Sequence, residues 1–331
     1  MQIPRSVLRR ATWIVALTAA VVAALPARGA DKRIVLIAGK PSHPPGEHEF
    51  RAGSLLMQKA LSGVPGVKVD VYDMGWPARM VDGNRVEDSS LLDGADAVLI
   101  YADGRTGNPA IQGDHTQVLD ALAAKGIGLG FAHYGVEVPP GAPGDSMHRW
   151  IGGFYEDHYS VNPMWKPPFD KLPKHPITRG VGPFATYDEW YFSMRWSTDP
   201  AVQKRVTPIL VATPSDEVRH GPYVSPKGPY DHIIAASGQQ ESMMWVFERP
   251  DGGRGLGFTG GHTHANWGDV NQRRIFLNGL LWLAKIDVPA QGVVDHITAE
   301  DLTQNLDQKG GRRGGAPDAE PTASGTATSR R

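Results

Sequence analysis

The sequence predicts an α/β fold built on a mostly parallel, doubly wound sheet. Short apolar runs alternate with segments of helical periodicity between residues 33 and 285, as in repeated βα units that cover both faces of a sheet. Hydrophobic residues make up 40% of the 331-residue chain and charged residues 21%, so we expect a large packed core. The 39 glycines and 27 prolines favour long, shaped loops over a helix bundle.

The predicted strands are short and apolar, as strands buried on both faces are. The first covers residues 33–39, reads RIVLIAG and ends in glycine. The other predicted strands cover residues 67–72, 95–101, 127–132, 206–212, 232–236, 243–248 and 255–258. Helices are predicted at 47–61, 112–125 and 271–285, each with an apolar stripe at helical spacing, and the second stops at Gly126.

The pattern breaks between about residues 139 and 207, in a stretch rich in proline and aromatic side chains. So long an irregular insert is usually functional, and in an open α/β sheet it would lie over the carboxyl ends of the strands, where ligands bind. Rings that stack on sugar faces, together with carboxylates that bind hydroxyls, favour a small carbohydrate ligand. The alternative is that most of these rings form the core of a small subdomain.

The first 29 residues are predicted to be a secretory signal peptide. A basic segment is followed by an apolar run over residues 11–26 and by a small-residue cleavage site near Gly29 or Ala30. The run is shorter than the roughly 20 residues needed to span a bilayer, so no stable membrane anchor is expected. The protein is therefore predicted to be periplasmic or secreted, and Arg9 with Arg10 fits twin-arginine export.

The mature domain is predicted to cover residues 30–290, followed by a C-terminal extension over 291–331. From about residue 308 this extension consists mostly of Gly, Arg, Pro, Ala, Ser and Thr and has no large apolar side chain, so we predict that it is disordered.

Composition also excludes several classes of site and partner. The chain has no cysteine, which excludes disulfides, thiolate metal sites and every cysteine nucleophile. Both termini are basic, so the body between them is acidic despite a net charge of -1. An acidic body argues against a nucleic-acid partner.

Histidines and carboxylates follow three of the predicted strands, where the chain leaves the sheet. The first loop carries His43, Glu47 and His48; the fourth strand runs into the turn His133-Tyr134-Gly135; and a late strand is followed by a glycine pair and then His262, His264 and Trp267. Because the carboxyl ends of parallel strands meet at one edge, we expect His133 and His262 to lie together, with His43 and His48 around them. The insert would add Glu189, Trp190 and His158 if it folds back over that edge.

Taken in order, these motifs resemble the ThuA-like (trehalose utilisation-type) family. The motifs are Ser42-His43-Pro44-Pro45-Gly46-Glu47-His48-Glu49, His133-Tyr134-Gly135, Gly152-Gly153-Phe154 followed by His158, His175-Pro176-Ile177-Thr178, Asp188-Glu189-Trp190-Tyr191 and Gly261-His262-Thr263-His264. The resemblance implies a class I glutamine amidotransferase-like fold, a flavodoxin-like three-layer sandwich. It also implies a role in carbohydrate metabolism, on disaccharides or their oxidised (3-keto) derivatives. Amidotransferases carry a cysteine at the turn where this chain has His133, so glutaminase chemistry is excluded.

Three functions remain open from the sequence. In the first, His133, His262 and Glu189 supply acid–base catalysis for a lyase, isomerase or hydrolase acting on a sugar, and the ligand contacts are His43, Glu47, His48, Tyr134, His158, Trp190, His264 and Trp267. In the second, some of the histidines hold a divalent metal that activates water in a hydrolase. In the third, the protein binds carbohydrate without catalysis. Each of these functions is compatible with an oligomer.

Overall fold

The computed structural model describes residues 31–309; the predicted signal peptide and the chain beyond residue 309 lie outside the described residues. The strands are β1 Lys32–Ala38, β2 Val67–Tyr72, β3 Ala78–Val81, β4 Asn84–Glu87, β5 Ala97–Tyr101, β6 Gly128–Ala132, β7 Gly153–Phe154, β8 Met164–Trp165, β9 Asp188–Glu189, β10 Arg195–Trp196, β11 Val206–Ala212, β12 Glu241–Glu248 and β13 Arg254–Phe258. Seven of them form the central sheet, in the order β11-β12-β13-β6-β5-β1-β2.

The α-helices cover both faces of this sheet. They are α1 Phe50–Leu61, α2 His115–Ala124, α3 Ala142–Ile151, α4 Pro200–Gln203, α5 Asp216–His220, α6 Asp231–Ala235 and α7 Val270–Leu283. Short 3-10 helices cover Ser89–Leu92, Arg105–Gly107, Pro109–Ile111, His133–Val136, Pro176–Thr178, His264–Gly268 and Asp301–Thr303. Among residues 31–309, no helix combines the length and the apolarity needed to cross a membrane.

Alternation along the strands divides the core into two halves, so the fold has three layers. Ile34 and Leu36 of β1 pack with α1 and α7 on one face. Their neighbours Val35 and Ile37 pack on the other face, with α2 and α3. Successive side chains of a strand point to opposite faces, and a strand covered on both faces reads as one continuous apolar run.

The sheet is mostly parallel, as predicted. β13, β6, β5, β1 and β2 run side by side in parallel, whereas β12 is antiparallel to both of its neighbours. The carboxyl ends of β13, β6, β5 and β1 therefore meet at one edge, and the loops that leave these four neighbouring strands share that edge.

Two elements differ from the sequence prediction. The segment predicted as a strand at 232–236 is instead the short helix α6, which buries only Ile233 of its five residues and so cannot be a strand covered on both faces. The stretch predicted to be irregular contains a ten-residue helix, α3, and two small antiparallel pairs, β7 with β10 and β8 with β9. This helix was not predicted because it begins with Pro143 and Gly144, two residue types that are typical of loops, although proline is also common in the first turn of a helix.

Candidate metal centre

Four side chains from four separate segments point their donor atoms at one place. His48 comes from the loop after β1, His133 directly follows β6, Glu189 ends β9 and His262 comes from the loop after β13. His48 Nε2 lies 2.9 Å from His262 Nδ1 and 3.0 Å from His133 Nε2. Glu189 Oε2 lies 2.8 Å from His262 Nδ1 and 3.5 Å from His133 Nε2. All four side chains are buried.

The shortest distances between these donors are close to those of tetrahedral coordination. A regular tetrahedron with metal–ligand bonds of about 2.0–2.1 Å has ligand atoms about 3.3–3.4 Å apart. The shortest contacts among the donor atoms are 2.8, 2.9, 3.0 and 3.5 Å, and all four atoms lie within 4.8 Å of one another. A small divalent cation therefore fits among them after the ring of donors opens by a few tenths of an ångström.

The outer nitrogens of His133 and His48 have partners that fix the tautomer of each ring. His133 Nδ1–H donates to the carbonyl oxygen of Thr259 at 2.9 Å, which leaves the Nε2 lone pair free to bind a metal. His48 Nδ1 faces the Asp103 carboxylate at 3.4 Å. Asp103 is itself held by the Ser42 hydroxyl, which donates to it at 2.7 Å. Such carboxylate and carbonyl partners orient metal-binding histidines and raise their basicity.

His262 and Glu189 have equivalent support. His262 Nε2 lies 3.5 Å from the Glu47 carboxylate, so Nδ1 is the nitrogen that faces the cluster. The other oxygen of Glu189 accepts a hydrogen bond from the Asn162 amide at 2.8 Å. Each of the four inward-facing groups thus has an outward-facing partner, which is the arrangement of a built metal site.

Burial and local charges shift the pKa values of three groups in the cluster. Burial raises the pKa of Glu189, but its contacts with His133 and His262 outweigh burial and bring it down to about 2, so this carboxylate is ionised at neutral pH. Burial and the neighbouring imidazoles hold the pKa of His48 well below its usual value, so His48 is neutral. Burial lowers the pKa of His262 as well, but the Glu189 carboxylate more than offsets it and the net shift is upward.

Two of the four cluster residues and one neighbouring glycine have an uncommon backbone conformation. His48 and His133 adopt positive φ angles of 48° and 49°, a region that non-glycine residues rarely occupy and that is concentrated at functional sites. Gly261, just before His262, has a φ of 104° that only glycine adopts readily. The buried Asp188 carboxylate holds this last loop by accepting hydrogen bonds from the backbone N–H groups of Gly261 at 2.8 Å and Thr263 at 2.9 Å.

A cavity of about 230 Å³ opens beside the cluster. It is lined by His43, His48, Arg105, Tyr134, Glu137, Asn162, Glu189, Tyr191, Val224, Ser225 and His262. The Tyr191 hydroxyl lies 3.2 Å from His133 Nε2. Burial raises the pKa of Tyr191 well above its usual value, so this hydroxyl stays protonated and serves as a donor.

The predicted site residues fall into two groups. His133, His262, Glu189 and His48 meet in the cluster, Glu47 supports it, and His43 and Tyr134 line the cavity, with the His43 ring 3.6 Å from that of His48.

The other four predicted ligand contacts lie outside this cavity. Trp190 and Trp267 are core residues packed against Phe258. His264 is buried without lining the cavity, and the His158 side chain is 75% exposed outside it.

Several residues of the site were missed from the sequence, among them Asp103, Arg105, Glu137, Asn162, Tyr191, Val224 and Ser225. Asp103 and Arg105 follow β5, so the rule that ligands bind at the carboxyl edge would have found them. Glu137 lies four residues beyond His133, and its carboxylate accepts a hydrogen bond from Arg105 Nε at 2.7 Å. Its position gives no signal in the sequence, because the turn after His133 decides which way it points.

Comparison with known proteins found one matching family model and several similar solved structures. The model is ThuA, described as "Trehalose utilisation", and it matches residues 71–283. A putative ThuA-like protein from Bacteroides uniformis ATCC 8492 has a TM-score of 0.54 and 14% identity, over 79% of this chain and 94% of that one. Another, from Parabacteroides merdae ATCC 43184, has a TM-score of 0.49 and 14% identity over 82% and 99%. PurLQS from Thermotoga maritima has a TM-score of 0.39 and 13% identity, over 76% of this chain and 99% of that one. A search of curated proteins found no match.

Fold and site together define a doubly wound, three-layer α/β protein with a buried polar cluster at the carboxyl edge of its parallel strands. The Bacteroides protein shares this fold. Because the family model covers well over half of the sequence, this chain belongs to the ThuA family.

Proposed function

We propose that this protein is a metal-dependent enzyme of carbohydrate metabolism, with one divalent cation held by His48, His133, Glu189 and His262. The convergence of their four donor atoms within 4.8 Å carries the proposal. Three imidazoles and one carboxylate form a donor set that zinc and neighbouring transition metals prefer. Such a cation would polarise a carbonyl or hydroxyl group of the substrate, or activate water.

Metal binding explains the cluster better than acid–base catalysis by the histidines alone. The hydrogen bond from His133 to Thr259 and the contact of His48 with Asp103 occupy the outer nitrogens of these two rings. The inner lone pairs then face each other at 3.0 Å. Two lone pairs at this distance repel, and a cation between them converts the repulsion into two bonds.

The cavity fits a small polyhydroxylated ligand. At about 230 Å³ it is smaller than the pockets of roughly 300–1,000 Å³ that hold drug-sized molecules, so it would hold about one sugar ring. Arg105, Asn162, Tyr134 and Ser225 present amide, guanidinium and hydroxyl groups to this space. Together with the family description, "Trehalose utilisation", this lining supports a monosaccharide unit or one ring of a disaccharide, including oxidised derivatives, as the ligand.

Glu137 is the best-placed group for proton transfer in the cavity. It faces Arg105, Asp157, Glu189 and Tyr134. Burial raises the pKa of Glu137 to about 7, although Arg105 opposes the shift. A carboxyl group that titrates near neutrality can both accept and donate a proton at working pH. We therefore assign it the acid–base role that His133 and His262 lose when they bind a metal.

Metal content and metal-dependent turnover test the proposal. We expect the protein, purified without chelators, to hold about one equivalent of a transition metal. His133→Ala and His262→Ala should lose this metal, whereas the control His220→Ala, at an exposed position outside the cluster, should keep it. Turnover of disaccharides and of their 3-keto derivatives should stop on chelation and return with added metal. A metal-free wild-type protein that turns these sugars over at full rate would overturn the proposal.

We also propose export to the periplasm or the exterior. The support is the basic segment, the apolar run over residues 11–26 and the small residues near Gly29. The intact mass of the exported protein tests this, because cleavage removes about 29 residues. A chain that still begins at Met1 would contradict it.

A further inference from the structure

The side chain of one lysine in the C-terminal extension is buried in the domain, against residues that are far away in the sequence. The Lys309 ammonium lies 3.2 Å from the Glu49 carboxylate, and the two side chains are only 5% and 1% exposed. It also donates to the carbonyl oxygen of His48 at 3.3 Å and to that of Glu47. The extension therefore reaches the loop that supplies one metal ligand and the partner of another.

The Glu49 carboxylate joins this loop to the extension. It accepts hydrogen bonds from the backbone N–H of Gly46 at 2.9 Å and from that of Asp307 at 2.8 Å. A buried carboxylate needs a cation or several donors to offset its lost hydration, and Lys309 is the cation that contacts it. Without this lysine, one end of the loop would lose its electrostatic anchor.

The same loop is bound to the loop that carries His262. The backbone N–H of His48 donates to the carbonyl oxygen of His262 at 2.9 Å, and that of His264 donates to the carbonyl oxygen of Gly46 at 2.9 Å. His48 holds a positive φ of 48°, a conformation that persists only where the surroundings impose it. Contacts made by Lys309 to the carbonyls of Glu47 and His48 are among the restraints that impose it.

We propose that Lys309 is a positioning residue of the metal centre, which fixes the loop of residues 46–49 so that His48 and Glu47 hold their orientation toward His262. The effect on metal affinity rests on the proposed function, whereas the effect on loop order does not. The extension beyond the predicted domain end at residue 290 is then part of the functional unit.

The first test is zinc affinity, measured by competition with a chromophoric chelator. Lys309→Met should bind zinc at least tenfold more weakly than the wild type. Lys309→Arg, which keeps the charge, should stay within about threefold, and Lys125→Met, at an exposed lysine, should not change affinity. Equal zinc affinity in Lys309→Met and the wild type would overturn the proposal.

The second test needs no metal. In chelated protein, amide hydrogen exchange in peptides covering residues 43–50 should be at least tenfold faster in Lys309→Met, with no change in the distant strand β11. The double variant Glu49→Gln/Lys309→Met leaves no unpaired buried charge, so it should fold and still show faster exchange, because the carbonyl contacts are gone. Unchanged exchange in both variants refutes the positioning role. If the wild type binds no zinc, the proposed function fails, and the exchange result alone decides the role of Lys309.

Discussion

Replacing Asp188 by asparagine should weaken the hydrogen bonds that hold the loop carrying His262, with almost no change in side-chain volume. Asp188 is fully buried, and its two oxygens accept different hydrogen bonds. One oxygen accepts from the N–H of Gly261, and the other accepts from Thr263 and, at 3.1 Å, from Glu189. An asparagine has one oxygen, so its NH₂ group must face a backbone N–H.

The cost follows from this geometry. A hydrogen bond to a charged group contributes about 1.5–3 kcal/mol, and a buried donor left without an acceptor adds a penalty of similar size. In Asp188→Asn one hydrogen bond is lost, and the NH₂ group of the asparagine faces a backbone N–H. We therefore expect this substitution to lower the free energy of unfolding by about 3 kcal/mol. For a domain of roughly this size, that corresponds to a fall in Tm of about 6–12 °C. Because His262 lies between Gly261 and Thr263, the two residues that Asp188 holds, zinc affinity should also fall at least tenfold.

A matched control is available in the same chain. Asp269 also accepts two backbone N–H groups, from Asn271 and Gln272, but both bond to the same oxygen. Asparagine keeps that oxygen and is a good helix N-cap, so Asp269→Asn should cost less than about 1 kcal/mol. Urea unfolding and the zinc competition assay measure both variants. The reasoning would be refuted if Asp188→Asn had the same free energy of unfolding and the same zinc affinity as Asp269→Asn.

Three further predictions concern the metal, the acid–base group and the sheet. Free zinc at about 1,000 times its Kd should stabilise the wild type by about 4 kcal/mol, which scanning calorimetry would detect as a rise in Tm. This rise should vanish in His133→Ala. If it persists in that variant, zinc binds elsewhere. The pKa of Glu137 is raised to about 7 from its ordinary 4.5, so folding favours the protonated form. The wild type should therefore lose stability as pH rises from about 4.5 to about 7. Urea unfolding at pH 5 and pH 8 should show this loss in the wild type and not in Glu137→Gln, and an equal loss in both proteins would contradict the prediction. Gly128→Ala would place a Cβ 2.2 Å from the carbonyl oxygen of Leu283 and should cost about 1–3 kcal/mol; an unchanged Tm would show that the helix end shifts freely.

The sequence predicts the edge of the sheet at which the site lies, because buried parallel strands leave a strong pattern. Four apolar runs give the strands, and the rule that their carboxyl ends share one edge is enough to bring His48, His133 and His262 together. Glu189 required one additional assumption, that the aromatic insert folds back, and the hydrogen bonds that the neighbouring Asp188 accepts from Gly261 and Thr263 hold it there.

The sequence fails where the direction of a side chain depends on a few backbone angles. Trp190 and Trp267 share their segments with Glu189 and His262, yet both point into the core. Glu137 points into the cavity because of the turn that begins at His133, whose positive φ no composition rule predicts. The choice among three functions was open for the same reason, since the distances between imidazole nitrogens decide whether histidines share a cation or act separately.

The wide separation of the four ligands along the chain gives a bound cation a second consequence. His48 and His133 are 85 residues apart, and His48 and His262 are 214 apart. Joining such distant points removes conformational entropy from the unfolded chain, worth about 5 kcal/mol for one cross-link around a loop of about this length. Exported proteins commonly obtain such cross-links from disulfides, which a chain without cysteine lacks. In this protein the bound cation would serve as such a cross-link. Loss of the metal would then reduce resistance to unfolding and to proteolysis as well as activity.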